Sequence, residues 1–109
     1  RLKRVINDPD EAAKYWYKKY GTVPSNHMVV VKTSLSQTNP AAVREVFRML
    51  KESKNAAGLP KPGTIDALPF GLEGVKPALD LMSSYALEMK IIPRRYSVEE
   101  LFDDTTRGL

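Results

Sequence analysis

Apolar positions that recur every three to four residues predict three main helices along this chain. The first covers 8–20, because Asp8 is a favourable N-cap, Pro9 suits the first helical position and Gly21 provides a C-terminal stop. The aromatic residues of this helix are Tyr15, Trp16, Tyr17 and Tyr20. One helix face cannot bury all four, so they pack against the rest of the chain or against a partner.

The second predicted helix covers 40–56 and begins at an asparagine cap followed by a proline. The third covers 74–90 and tolerates Pro77 only if that proline lies in its first turn. A short fourth helix is predicted over 98–103, after a Ser-Val-Glu-Glu capping box. The apolar positions of the second and third helices are Val43, Val46, Phe47 and Leu50, then Val75, Leu79, Met82, Ala86 and Met89.

A continuous apolar run, mostly of β-branched residues, predicts one strand over about 27–33. A run without alternation is typical of a strand covered on both faces, so the predicted fold class is α/β, with one central strand and three to four helices. Such a strand cannot satisfy its own backbone groups. We therefore expect residues 1–109 to be the C-terminal segment of a larger protein, completed by an N-terminal lobe or by a second copy in a homo-oligomer.

The formal net charge of +4 is spread over basic residues that alternate with acidic ones at helical spacing. Because no run of five or more basic residues occurs, we expect no nucleic-acid partner; the surplus positive charge suits a small anionic ligand. The sequence also contains no stretch of about 18 apolar residues, so we expect no membrane-spanning helix.

The absence of cysteine and the presence of one histidine limit the available chemistry. Without cysteine these residues form no disulfide, thiolate nucleophile or Cys-ligated metal site, a composition that fits a cytoplasmic protein. One histidine cannot build a zinc site without distant carboxylates, and helix capping explains most acidic residues. We therefore expect no metal, and the lack of a nucleophile elbow disfavours a serine hydrolase.

Three places carry candidate chemistry, and each also has a purely structural interpretation. His27 lies at the mouth of the predicted strand, where it either transfers a proton or hydrogen-bonds the turn backbone. Residues 68–74 either present N–H groups to an anion at a helix start or form a simple loop-to-helix junction. Arg94 and Arg95 either bind a carboxylate or form an exposed basic turn.

Three segments, in register, resemble elements of one family. Residues 21–27 resemble a Gly-x-x-Pro-x-x-His element that precedes an apolar strand, and 69–73 resemble a Pro-Tyr-Gly-x-Glu element. Residues 93–102 resemble a closing Pro-Arg-x-x-x-Val-Glu-Glu-Leu-Phe element. Together these segments are similar to the last third of the 4,5-dihydroxyphthalate decarboxylase family, and the similarity extends over nearly all of the chain.

The resemblance implies a type II periplasmic-binding-protein-like fold, with two α/β lobes and the ligand in the cleft between them. It implies non-oxidative decarboxylation of a hydroxylated aromatic dicarboxylic acid such as 4,5-dihydroxyphthalate, in the cytoplasm and without a cofactor. His27 would be the catalytic residue, either as the proton donor or as a group that orients the substrate. The implied substrate contacts are Asn26, Phe70, Gly71, Glu73 and Lys76. On this interpretation the segment supplies only part of the cleft and is inactive alone.

Three positions depart from the family's pattern. Phe70 replaces a tyrosine, Val75 an asparagine and Lys76 an arginine, and the last change gives up bidentate carboxylate recognition. Two alternatives therefore stay open. One is a periplasmic solute-binding protein that captures a small anionic ligand without catalysis, and the other is an independent helical interaction module.

Overall fold

Helices account for 52% of residues 2–109, which the computed structural model describes, and no strand occurs among these residues. Arg1, the first residue of the predicted 1–109 segment, lies outside the described residues. The helices are α1 (Pro9–Tyr20), α2 (Thr33–Thr38), α3 (Pro40–Ala56) and α4 (Leu72–Glu88), followed by a 3-10 helix over Val98–Leu101. The fold is all-helical, so the predicted α/β class is wrong.

The predicted strand over 27–33 is absent. Residues 23–32 form neither helix nor strand, and Thr33 is already the first residue of α2. The side chains that were predicted to lie inside a sheet face solvent, with Val29 76% and Val30 87% exposed. The physical reason is the lack of a neighbouring strand within residues 2–109, because strand preference alone does not pair a backbone or cover a side chain.

Helix α1 is fixed at both ends by local groups. The Asp8 carboxylate accepts a hydrogen bond from the Glu11 N–H at 3.0 Å. At the other end Gly21 adopts a left-handed conformation, with φ 67°, and donates its N–H to the Tyr17 carbonyl at 2.8 Å. Glycine suits this position because a Cβ would be strained at positive φ. These caps set the orientation of the aromatic residues that α1 carries.

Helix α4 begins two residues earlier than the predicted 74, at Leu72. Gly71 precedes it with φ 81°, and its carbonyl accepts from the Val75 N–H at 3.2 Å. Pro77 consequently lies inside the helix. The expectation that this proline would lie in the first turn is wrong. The buried face consists of Ala78, Leu79 and Ser83. Met82 and Met89 of the predicted stripe are 44% and 69% exposed.

The hydrophobic core of the described residues is small. Its buried apolar members are Val43, Ala78, Leu79 and Val98. The accessible surface is 8871 Å², compared with roughly 6,100 Å² for a compact monomer of this mass. The radius of gyration is 16.3 Å, where about 13 Å is usual for this length. The helices thus leave much of their apolar surface uncovered.

Candidate functional site

Helix α4 is in contact with the segments of the chain that carry the family resemblance. Residues 22–25 line a cavity, here called the Trp16 cavity, together with Trp16 of α1 and side chains of α4. The α4 residues of this cavity are Ala78, Leu81, Met82 and Tyr85. The loop after α1 therefore packs against the middle of α4.

The segment that follows α4 folds back onto the same helix. The Ser83 hydroxyl donates to the Tyr96 carbonyl at 3.0 Å and accepts from the Tyr96 N–H at 3.2 Å. Seven residues before Ser83 on α4, Lys76 donates a hydrogen bond to a carboxylate oxygen of Glu99 at 2.5 Å. All three segments that carry the family resemblance are thus adjacent to α4, since the Pro-Phe-Gly segment leads directly into it.

The two predicted site residues from the strand region are exposed. Asn26 and His27 lie in the irregular segment after the loop, and neither lines the Trp16 cavity. The structure therefore does not bring His27 together with the site residues predicted near α4.

The predicted site residues Phe70 and Gly71 lie immediately before α4. The half-buried Phe70 ring meets the Phe47 ring edge-on at 5.4 Å, and the Lys54 ammonium lies 5.3 Å from the Phe70 centroid. Beside Gly71, the backbone oxygen of Leu109 lies 3.2 Å from where a Cβ would be. Phe70 thus packs against other side chains of the protein, and Gly71 has a backbone oxygen on its Cα side.

Glu73 and Lys76 lie on the first two turns of α4, and only Glu73 is exposed. The Glu99 carboxylate holds the pKa of Lys76 above its usual value, and Lys76 in turn lowers the pKa of Glu99. Lys76 is therefore engaged in an ion pair, so a substrate carboxylate would have to displace Glu99 to bind it.

A second cavity beside α4, larger than the Trp16 cavity, has a volume of about 240 Å³. It is named here the Arg95 groove and is lined by Tyr20, Pro77, Asp80, Leu81, Ser84 and Arg95. The Arg95 guanidinium lies 3.7 Å from the Asp80 carboxylate, and both side chains are about half exposed. Of the residues singled out from the sequence as candidate chemistry, Arg95 lines this groove, whereas the substrate contacts implied by the resemblance do not.

Aromatic packing between α1 and α4 separates the Arg95 groove from the Trp16 cavity. Trp16 stacks at an angle on Tyr20, with centroids 4.5 Å apart, and its centroid is 6.4 Å from that of Tyr85. The Tyr85 hydroxyl donates to the Tyr20 hydroxyl at 3.0 Å. This bond, together with the nearby Lys19 ammonium, lowers the pKa of Tyr20. The Trp16 cavity has a volume of about 150 Å³.

No group of three or more histidine, cysteine or acidic side chains over residues 2–109 has an arrangement that could hold a metal ion. Among the helices of the same residues, none has both the length and the hydrophobicity needed to cross a bilayer.

Comparison with known proteins adds no assignment, because the sequence matches no protein-family profile, no curated protein and no solved structure.

Sequence reasoning missed most of the Arg95 groove. Its α4 members follow a helical spacing of i, i+3, i+4 and i+7: Pro77, Asp80, Leu81 and Ser84. That stripe was readable from the sequence as a second face of α4, distinct from the buried one. Arg95 was recognised as a candidate carboxylate ligand, but nothing local indicated that Tyr20, 75 positions earlier in the chain, would lie beside it.

Proposed function

We propose that this protein takes part in the non-oxidative decarboxylation of a hydroxylated aromatic dicarboxylic acid such as 4,5-dihydroxyphthalate. The main support is that the three segments similar to the decarboxylase family, although far apart in sequence, all lie against α4. The two-lobed α/β architecture of that family is not part of the proposal. Because the described residues leave much apolar surface uncovered, an N-terminal lobe of the same protein, or a second copy, supplies the remainder of the site.

The proposed reaction needs a proton donor and a fixed substrate. A ring hydroxyl para to the departing carboxylate feeds electron density to the ring carbon that carries it, and that carbon takes a proton. The carbon–carboxyl bond then breaks, its electron pair stays on the ring, and CO2 leaves. His27 is the proposed donor, since its exposed imidazole is free to face an added lobe.

The remaining proposed contacts lie at the start of α4. The backbone near Gly71 and the ammonium of Lys76 would hold a carboxylate, with Lys76 exchanging its Glu99 partner for the substrate. Glu73, which is exposed, would accept a hydrogen bond from a ring hydroxyl, and Phe70 and Asn26 would border the ring. The proposed compartment is the cytoplasm, and the proposed partner is a small anionic aromatic substrate.

The test is CO2 release from 4,5-dihydroxyphthalate by the complete protein. The His27→Ala variant should lower kcat by roughly 100-fold or more, because general acid catalysis contributes about that much. Lys14→Ala, an exposed change on α1, is the matched control and should leave turnover unchanged. Unchanged turnover in His27→Ala would remove His27 from the mechanism, and absence of CO2 release by the wild type would refute the proposed activity.

One observation favours a second candidate, the capture of a small anionic ligand without catalysis. The larger cavity contains the Arg95 guanidinium and does not include His27. A binding function needs only this cation, whereas decarboxylation also needs a proton donor. Saturable binding of aromatic acids by the complete protein, without CO2 release, would support this candidate, which would place the protein in the periplasm.

A further inference from the structure

The Arg95 groove combines an apolar wall with two opposite charges. Pro77 and Leu81 of α4, with the ring of Tyr20 from α1, provide the apolar side. Asp80 and Arg95 provide a carboxylate and a guanidinium 3.7 Å apart. Small-ligand sites typically combine apolar surface with a few converging polar groups, and this groove contains both.

The donors of the Arg95 guanidinium stay available. Within residues 2–109 its guanidinium makes no hydrogen bond, and its distance to Asp80 exceeds that of a normal hydrogen bond. Arg94, by contrast, donates to Glu100 at 2.8 Å and stacks on the Tyr96 ring at 4.0 Å. Lys76 is likewise held by Glu99. A carboxylate that approaches this side of α4 therefore finds its bidentate partner in Arg95.

Two further groups distinguish a hydroxylated ligand from a plain acid. The exposed carboxylate of Asp80 accepts hydrogen bonds and repels a second anion, which suits a phenolic hydroxyl at that end of the groove. The Tyr20 hydroxyl already accepts from Tyr85, so its own hydrogen remains to be donated. The groove thus offers a donor pair at Arg95, an acceptor at Asp80 and a donor at Tyr20.

The volume of the groove restricts the ligand to a small one. At about 240 Å³ it lies below the roughly 300–1,000 Å³ usual for pockets that hold drug-sized ligands. A single substituted ring suits this space better than a fused or multi-ring compound.

We propose that the Arg95 groove binds a hydroxylated aromatic carboxylic acid, with Arg95 holding the carboxylate and Asp80 accepting a hydrogen bond from a ring hydroxyl. The choice of ligand class rests on the proposed function, but the site is distinct from the contacts expected at Gly71 and Lys76.

The test is a nitrogen-15 NMR titration of the full 109-residue chain with 4,5-dihydroxyphthalate and, separately, with phthalate. Saturable shifts should appear at the amides of Leu81, Ser84 and Arg95. Arg95→Gln should weaken binding of both acids roughly tenfold or more, since it removes a charge-assisted pair of hydrogen bonds. Arg94→Gln is the matched control, because Arg94 is already engaged by Glu100, and it should leave both affinities within about twofold.

Asp80→Asn tests the hydroxyl contact. It should increase the affinity for phthalate, because a negative charge is removed. The ratio of the affinities for 4,5-dihydroxyphthalate and phthalate should therefore fall. The proposal is overturned if the wild type shows no saturable shifts in the groove, or if Arg94→Gln and Arg95→Gln weaken binding equally.

Carbon dioxide release by the complete protein, measured in parallel, separates this proposal from the proposed function. If Arg95→Gln leaves KM for CO2 release unchanged, the decarboxylase function stands and the groove assignment falls. If the groove binds the acid through Arg95 and no CO2 is released, the groove assignment stands and decarboxylation falls.

Discussion

The Ser83 hydroxyl satisfies both backbone groups of Tyr96, donating to its carbonyl at 3.0 Å and accepting from its N–H at 3.2 Å. Ser83 is buried on α4, so a single side chain joins that helix to the segment that returns after it. This contact is a tertiary one, because the two residues are 13 positions apart in the sequence. It holds the Arg95 groove in shape, since Arg95 is the residue next to Tyr96.

Removal of the Ser83 hydroxyl should destabilise the fold. Ser83→Ala leaves the N–H and carbonyl of Tyr96 without their partner, and we expect the free energy of unfolding to fall by about 1–3 kcal/mol. Urea denaturation followed by circular dichroism measures this change. Ser84→Ala is the control, because Ser84 donates only to the Asp80 carbonyl in its own helix, and a loss below about 0.5 kcal/mol is expected. Equal losses in the two variants would contradict this account.

The contact between α1 and α4 should be visible in the emission of Trp16, the one tryptophan of the sequence. Tyr85→Ala removes a ring centred 6.4 Å from that of Trp16, so the emission should shift to longer wavelength. Stability should fall by about 1–2 kcal/mol for a half-buried ring. Tyr85→Phe should keep the emission maximum, and Tyr15→Ala, at a side chain 67% exposed, should change neither property. An unshifted maximum in Tyr85→Ala would mean that the helices are not packed in this way.

The capping box of the 3-10 helix should respond to acid. Hydrogen bonds from Arg94 and from the Ser97 N–H hold the pKa of Glu100 at about 2, well below its usual 4.5. Because the folded pKa is lowered, the stabilisation is present above about pH 4.5 and is lost as the pH falls through about 2. The carbon-13 shift of the Glu100 carboxyl measures the midpoint, and Arg94→Gln should raise it toward 4.5. A midpoint that Arg94→Gln does not move would exclude this ion pair in solution.

Lys54 of α3 should stabilise the loop between α3 and α4, because it binds two residues of that loop. Its ammonium donates to the Asp66 carboxylate and to the Leu68 carbonyl, each at 2.6 Å, and its side chain is only 11% exposed. Lys54→Met should cost about 1–2 kcal/mol and speed proteolysis within the loop. The exposed Lys51→Met on the same helix is the control and should change neither. Loop cleavage at the wild-type rate in Lys54→Met would show that the loop is held by other contacts.

The starts of α1, α3 and the 3-10 helix could be predicted from the sequence because their determinants are local. Asp8 caps a residue three positions on, and Asn39 accepts from the Ala42 N–H at 3.2 Å in the same way. Ser97 and Glu100 complete the capping box within one turn. Each of these signals is readable without knowing what packs against the helix.

The strand prediction failed because a strand depends on partners that a local pattern does not contain. The run of valines at 29–31 has high strand preference, yet no neighbouring strand lies within residues 2–109 to pair with it. The surroundings of the predicted binding residue Lys76 likewise depend on a distant partner. The ion pair between Lys76 and Glu99 spans 23 positions, so no local pattern indicates that this lysine already has an acidic partner.

Pro77 divides α4 into two parts that should open to solvent independently. Its nitrogen carries no hydrogen, so the carbonyl of Glu73 lacks the amide that would normally bond it four residues on. The part before Pro77 therefore has one backbone hydrogen bond fewer, while the part after it is anchored through Ser83. Amide hydrogens before residue 77 should exchange quickly and those after it slowly. Since Pro77 also lines the Arg95 groove, the point at which the two parts of α4 separate lies beside that groove.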